Sequence, residues 1–421
     1  MATKTVADIN VKGKKVLMRV DFNVPLKGGK ITNDRRITQA LGTIQKVVND
    51  GGKLILMSHL GRPDGEYDAE ASLKPCADRL GELLGKPVKL GPTSVVGAEL
   101  NAMISAMKDG DVVLMENVRF NPGETMPDKA KKNPDKKLTA EQQKKHDDFV
   151  AAIAINGEAY VNDAFGTCHR KHASMYGVAK AIQAKGGPAV AGFLVEKEIK
   201  YLAEAVSNPR RPFVAILGGA KVSDKIKLIS ALLGKVDRIL IGGAMAYTLL
   251  KAKGVNVGNS RVEEDQVEEM KALLQKAGDK IMLPVDHVGA QSVDFKAMTS
   301  SGAVQVADVN IPADLMGLDI GPKTIAAFGK EISAAGTIVW NGPMGVFEMS
   351  DFAAGTRALA TGIAQATSKG VISVIGGGDS ATAVEQMGLG EKMTHVSTGG
   401  GASLEYLEGK AMPPIEVLDK K

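Results

Sequence analysis

The chain has 421 residues, more than a single hydrophobic core usually organises, so two domains are expected. Apolar residues at 44% and charged residues at 24% are those of ordinary globular domains, which excludes general disorder. Basic residues exceed acidic ones by 53 to 48, and a net charge of +5 this small and dispersed excludes a nucleic-acid partner while leaving acidic small molecules open.

Short apolar, β-branched runs alternate with longer stretches of helical period, the pattern of parallel strands joined by crossover helices in an α/β fold. The first strands predicted are Val16 to Val20, Leu54 to Met57, Val112 to Met115 and Ala159 to Val161. Ligands of open α/β sheets gather at the carboxyl ends of strands, so the residues after each run matter most. Asp21-Phe22-Asn23 follows the first, with Arg35 and Arg36 in a nearby loop. Ser58-His59-Leu60-Gly61-Arg62-Pro63 follows the second, Arg119 the third, and Asn162-Asp163 with His169-Arg170 the fourth. Arginines, a histidine and small amides on one sheet edge suit an anion carrying phosphate and carboxylate, since a guanidinium fork pairs with either. His59 alone reads more readily as a structural histidine, but Gly-Arg-Pro directly after it favours anion binding. Asp163 reads equally well as a cap or as a site residue.

Gly123 to Asp148 is lysine-rich, interrupted by Pro127 and Pro134 just after Pro122, and poor in apolar anchors; it is expected to be a surface excursion. Lys185-Gly186-Gly187-Pro188 has the composition of a hinge. Val195, Ile199, Leu202 and Val206 then recur at helical spacing before Pro209, which predicts a helix bridging two domains divided near residue 190.

In the second half the expected strands are Phe213 to Leu217, Ile239 to Ile241, Ile281 to Pro284, Thr337 to Trp340 and Val371 to Ile375. Three of them end on glycines: Gly218-Gly219-Ala220-Lys221, Gly242-Gly243-Ala244 and Gly376-Gly377-Gly378-Asp379-Ser380. The 48 glycines of the chain have no three-residue period, so they mark tight turns. The first and third glycine turns lead toward helices, where free amides and the helix dipole would face a phosphate chain, and Lys221 and Lys225 lie near enough to share it. Neither the Walker spacing nor a Gly-x-Gly-x-x-Gly turn with a ribose-binding acid follows these strands.

Cys76 and Cys168 are far apart and outside any Cys-x-x-Cys pair, against zinc or a disulfide framework and in keeping with a reducing compartment. The first ten residues lack a signal-like apolar segment, and no run of about 18 apolar residues occurs, so a cytoplasmic chain without a membrane span is expected.

Over essentially its full length the chain resembles the phosphoglycerate kinases. The resemblance rests on Arg19-Val20-Asp21-Phe22-Asn23-Val24-Pro25, His59-Leu60-Gly61-Arg62-Pro63, Glu116-Asn117-Val118-Arg119-Phe120 and Val161-Asn162-Asp163-Ala164-Phe165-Gly166-Thr167. The second half adds Gly218-Gly219-Ala220-Lys221-Val222, Leu318-Asp319-Ile320-Gly321-Pro322, Trp340-Asn341-Gly342-Pro343, Gly345-Val346-Phe347-Glu348 and the Gly376 to Ser380 turn.

The resemblance implies two Rossmann-like domains, each a mainly parallel sheet flanked by helices: 1–190 for the phosphoglycerate, 191–404 for the nucleotide, with about 405–421 packing back on the first. It implies reversible transfer of the acyl phosphate of 1,3-bisphosphoglycerate to ADP, giving 3-phosphoglycerate and ATP with Mg²⁺, by a cytoplasmic monomer that bends at a hinge. Asp21, Asn23, Arg36, His59, Arg62, Arg119 and Arg170 are then expected to bind the acid substrate. Gly218, Gly219, Lys225, Asn341, Gly377, Gly378 and Ser380 would hold the phosphate chain, Gly317 and Glu348 the nucleoside end and Asp379 the metal. Arg36 and Lys221 would be catalytic. The family's final turn commonly ends in Thr where this chain has Ser380, which keeps the hydroxyl, and Cys168 stands where small residues are usual.

A dehydrogenase would need its dinucleotide turn where Asp21-Phe22-Asn23 stands. A two-lobed solute-binding protein, the rival from another class, would be exported.

Overall fold

A parallel strand covered on both faces by helices needs apolar residues at consecutive positions, and the sequence supplies such runs. The computed structural model describes residues 2–421, apart from the side chains of Lys131, Glu204 and Val206, so Val206 of the predicted helical stripe lies outside the described side chains. The chain divides into two compact units: one runs to Ile199 and adds Ala411–Lys421, and the other is Lys200–Lys410.

The first unit holds β1 (Lys15–Val20), β2 (Lys53–Met57), β3 (Val88–Leu90), β4 (Val112–Leu114), β5 (Ala159–Asp163) and β6 (Ala189–Ala191). They form one parallel sheet in the order β3-β4-β2-β1-β5-β6. Val16, Leu17, Met18, Leu54, Ile55 and Val161 have no exposed surface, as strands covered on both faces require. Strand order reverses between β1 and β5, so the crevice beyond Val20 and Asp163, which are register partners, is the expected ligand position. Helix α1 (Arg35–Asn49) buries Ile37, Ala40, Ile44 and Val47 at helical spacing, which fixes its first turn, with Arg36, at that crevice's edge.

The Gly123 to Asp148 segment is less of an excursion than its composition suggested. Thr139 and Gln142 form a capping box that starts α2 (Ala140–Ala154), and His146, Phe149 and Ile153 bury one face of it. Glu124 and Met126 are buried as well. The lysines hide this because they occupy the outer face of a helix whose inner face needs few residues.

Lys185 to Pro188 leads directly into β6 inside the first unit, and the division between units falls within α3 (Phe193–Ser207), which ends before Pro209. Asp163 caps this helix: its Oδ1 accepts from the amides of Leu194 (2.9 Å) and Val195 (3.3 Å). At the other end of the chain Asp419 accepts from Ala189 N and donates its own amide to Ala189 O, so the C-terminal residues belong to the first unit.

The second unit contains β7 (Phe213–Leu217), β8 (Arg238–Ile241), β9 (Ile281–Met282), β10 (His287–Ala290), β11 (Val304–Val306), β12 (Met316–Ile320), β13 (Thr337–Asn341), β14 (Ile372–Gly376) and β15 (His395–Val396). Its main sheet is parallel with the order β9-β8-β7-β13-β14-β15, the doubly wound dinucleotide-fold order, reversing between β7 and β13. A second, antiparallel sheet, β11-β10-β12, was not anticipated. Helices α4 (Ile226–Leu233), α5 (Met245–Ala252) and α6 (Gly378–Gln386) follow the three glycine turns. No helix among the described residues is long and apolar enough to cross a membrane.

Candidate active site

Beyond β1 and β2, side chains named from the sequence are hydrogen-bonded to one another. Arg36 Nη1 meets Asp21 Oδ2 at 2.9 Å, Asn23 Oδ1 accepts from Gly61 N at 2.9 Å, and Arg119 Nη1 donates to Gly61 O at 2.7 Å. Glu116 and Asn117 explain how Arg119 is aimed. The buried Glu116 carboxylate accepts from Leu73 N and Ser72 Oγ, while Asn117 bridges the carbonyls of Leu60 and Ala71 and caps Arg119 N. Arg36 stands in the first turn of α1, where the helix dipole disfavours a cation and favours an anion. An arginine there prepares for a negative ligand.

Behind these groups Arg19 is wholly buried, donating to Ser174 Oγ (2.8 Å), to Val20 O and to His59 Nδ1 (3.2 Å). Because a guanidinium only donates, Nδ1 of His59 accepts and the ring proton sits on Nε2. Burial, with Arg19, Arg119 and Arg36 nearby, holds the His59 pKa well below its ordinary value. His59 is therefore a neutral hydrogen-bonding group, and its 3.9 Å approach to Asp21 Oδ1 is not an ion pair. Burial, seconded by Arg19, also brings the Arg119 pKa down to about 10, and its Nε lacks a hydrogen-bond partner among the described residues. Cations crowded this way want a counter-anion.

Arg170 belongs to a neighbouring cluster. Its Nη1 lies 2.8 Å from Asp128 Oδ2, the same oxygen that His172 Nε2 meets at 2.9 Å. Glu124, fully buried, accepts from Ser174 N and Ser174 Oγ, which joins this cluster to Arg19. Arg170 and Asp128 are each about a third exposed, so their pair is screened by solvent and worth roughly 1 kcal/mol or less, whereas His172 and Glu124 are buried. Sequence reading missed Glu124, Asp128 and the place of Arg19 in the network. Arg62 is exposed and makes no ion pair among the described residues. Cys168 is buried between Asn162 Nδ2 and Ala164 O, and burial pushes its thiol up to about 12, so it packs and does not react.

The second unit answers with backbone. Gly218 N donates to Asn341 O and Gly219 N to Pro343 O, bringing the ends of β7 and β13 together. A Cβ on Gly218 would stand 2.0 Å from the Pro343 carbonyl oxygen, so no other residue fits. Lys225 Nζ reaches Asn341 O (2.9 Å) and Asn341 Oδ1, and Ser380 Oγ accepts from Gly342 N at 2.5 Å. Burial brings the Lys225 pKa down to about 8 against the pull of Asp379 and Asp224. Asn341 Nδ2 is buried without a hydrogen-bond partner among the described residues, beside Gly377 at φ +88°. A cavity of about 290 Å³ opens here, lined by Lys221, Arg261, Asn341, Gly378 and Asp379 among others.

One sequence expectation changes. The helix after the first glycine turn begins only at Ile226, and the amides of Val222 and Ser223 are not free, because Glu263 takes both. Gly317 lies in β12, its amide on Ser260 Oγ (2.9 Å) and its Cα against the Tyr247 ring, and Glu348 is exposed.

The family model for phosphoglycerate kinase matches residues 6–410. The chain belongs to the phosphoglycerate kinase family. It is 52% identical over 421 residues to the phosphoglycerate kinase of Chloroherpeton thalassium, covering 99% of each chain, and 53% identical over 423 residues to that of Latilactobacillus sakei, covering 100% of each. The solved phosphoglycerate kinase of Coxiella burnetii superposes with a TM-score of 0.80 at 38% identity, covering 99% of this chain and 98% of that one. That of Pyrococcus horikoshii gives 0.81 at 30% identity, with the same coverage. As a phosphoglycerate kinase the chain transfers the acyl phosphate of 1,3-bisphosphoglycerate to ADP, reversibly. That activity excludes the dehydrogenase and solute-binding readings, and it requires the chain to bind one small phosphorylated acid and one polyphosphate chain.

Proposed function

We propose that the two units divide the reaction between them, the first binding the acid substrate through its arginines and the second the nucleotide through its glycine turns. The observation that carries this is the sorting of polar groups. Asp21, Asn23, Arg36, His59, Arg62, Arg119 and Arg170 all belong to the first unit, and Gly218, Gly219, Lys221, Lys225, Asn341 and the Gly377 to Ser380 turn to the second. The unpartnered Nδ2 of Asn341 and the first turn of α6 are suited to phosphate oxygens, and β12 with Gly317 and the exposed Glu348 to the nucleoside end.

No cluster of three metal-ligating side chains occurs among the described residues, which fits Mg²⁺ held by phosphates and water with one or two carboxylates. Asp379, which lines the cavity together with Asp224, is the carboxylate that would suit it. When bound, the ion would neutralise charge on the transferring phosphoryl group.

The chain's own residues need no general base. In the ATP-consuming direction the nucleophile is a carboxylate already deprotonated at pH 7, an α-carboxyl titrating near roughly 3.5. Catalysis reduces to alignment and to charge stabilisation on a metaphosphate-like transition state, the work of Arg36 and Lys221. Transfer also requires the units to close on each other, a bending whose natural site is α3. The chain works as a cytoplasmic monomer in this reading.

Calorimetry tests the division of labour. Arg170→Ala is expected to weaken 3-phosphoglycerate binding and spare Mg-ADP, and Asp379→Asn the reverse. Equal loss of both ligands in either variant refutes it.

A further inference from the structure

Glu263 comes from a half-exposed, mostly polar run, Arg261 to Gln266, outside the motifs named above. Its carboxylate nonetheless makes three hydrogen bonds to one short turn: Oε2 accepts from Val222 N (2.5 Å) and Ser223 N (3.1 Å), and Oε1 from Ser223 Oγ (2.5 Å). That turn lies between Lys221 and Lys225, both lining the nucleotide cavity. The run is anchored twice more. Glu263 N donates to Thr248 Oγ1 of α5 (3.1 Å), and Ser260 Oγ accepts from Gly317 N (2.9 Å).

Lys221 is exposed and has no ion pair among the described residues, so nothing at its own ammonium fixes its place. Its backbone is fixed one residue later, by Glu263. Partial burial opposes a charge on Glu263, yet the hydrogen bonds from Ser223 and Val222 outweigh it and hold the carboxyl below its usual range. It is ionised at neutral pH, and an ionised acceptor strengthens these bonds.

We infer that Glu263 is a positioning residue for phosphoryl transfer, acting through the Val222–Ser223 turn to set where Lys221 meets the transferring group. The inference rests on the reading of Lys221 as the transition-state lysine. A turn displaced by about 1 Å would lose on the order of 10- to 10²-fold in kcat, because alignment is most of what catalysis requires here. Nucleoside anchoring would change little, since Ser260 holds Gly317 independently.

The test is a double-mutant cycle on the full chain, with kcat and both KM values in the coupled assay and thermal melts alongside. Glu263→Gln keeps the shape but turns an amide NH2 toward donors. It should lower kcat on the order of 10-fold or more with the KM for 3-phosphoglycerate unchanged. Glu263→Asp should recover part of the loss, and Ser223→Ala should show a smaller loss of the same kind. In a Lys221→Ala background Glu263→Gln should add almost nothing. Undiminished kcat in a folded Glu263→Gln protein, or the same loss with and without Lys221, overturns the inference. If Glu263→Gln does not fold, Ser223→Ala and Glu263→Asp decide by the same criterion. Normal kcat in Lys221→Ala alone would instead remove the reading on which the inference stands.

Discussion

In the proposed division the two units would meet their ligands by opposite means. In the first, long side chains do the recognising: Arg36 and Arg119 are oriented by Asp21 and Gly61, and wholly buried Arg19 stands behind them. In the second, the backbone approaches so closely that side chains are excluded, as at Gly218 and Gly342, where a Cβ would lie 2.0 and 2.1 Å from facing carbonyl oxygens. A small acid offers few atoms, so guanidinium forks must reach around it. A polyphosphate chain is long and is met by amides that turn toward it at no entropic expense of side chains. The arginine site is also electrostatically unfavourable without its anion, as the neutral His59 and the lowered Arg119 record.

The sharpest break in that symmetry is Lys221, an exposed cation in the backbone-built site. Lys221→Ala should lower kcat on the order of 10²-fold or more while both substrate affinities change far less, since its contact is realised in the transition state. Steady-state kinetics with both substrates varied would show it, and near-normal kcat would strike Lys221 from the mechanism. Arginines of the other site should behave differently. Arg62→Ala should weaken 3-phosphoglycerate about 10-fold, a charged hydrogen bond being worth roughly 1.5–3 kcal/mol, with an unchanged melting temperature because Arg62 supports nothing else. Arg170→Ala should lower both affinity and melting temperature, because it also deprives Asp128 of a partner. Identical melting behaviour in these two variants would contradict the network.

Sequence reading reached the strand ends because two simple signals coincide there: a continuous apolar run, then polar or glycine residues. β1, β2, β7 and β13 were legible for that reason. β3, β6 and β15 were not: they are as short as β4 and β9 but lack a run of bulky apolar residues, holding Lys89, two alanines and His395 instead. Nor was the antiparallel sheet, whose β10 (His287–Ala290) mixes histidine and glycine into a buried strand. The candidate site was legible in the polar and glycine residues at its strand ends and illegible in the groups that support them. Glu124 and Glu263 reach their partners from loops and Asp128 from a one-turn helix, all distant in sequence from those partners, and a carboxylate among lysines or glutamates looks like a solvated surface until the fold brings its donors to it.

Closure is the next test of the division. In that division each ligand alone would contact chiefly one unit and stabilise the closed form little, so only the pair should shift the equilibrium. Solution X-ray scattering of apo, single-ligand and ternary forms should show a smaller radius of gyration mainly in the ternary complex. Coincident apo and ternary profiles from an enzyme that still turns over would reject bending at α3.

The smallest effect expected separates the units by pH. Each has a buried aspartate that burial pushes up to about 7: Asp163, against hydrogen bonds from Thr43, Val195 and Leu194, and Asp319, against the amides of Gly355 and Ile320. A carboxyl whose folded pKa is raised holds its proton in the folded chain while the unfolded chain, near 3.9, has lost it. Stability from each is therefore complete below about pH 4 and falls as pH rises toward 7. Asn keeps the neutral shape at every pH but places an NH2 where an oxygen accepts. Asp319→Asn should flatten the decline of melting temperature between about pH 4 and 7 for the second unit, and Asp163→Asn for the first. Two melting transitions followed by calorimetry would assign the change to one unit at a time. If Asp319→Asn leaves the pH slope of both transitions unaltered, Asp319 is ionised throughout and its hydrogen bonds outweigh its burial.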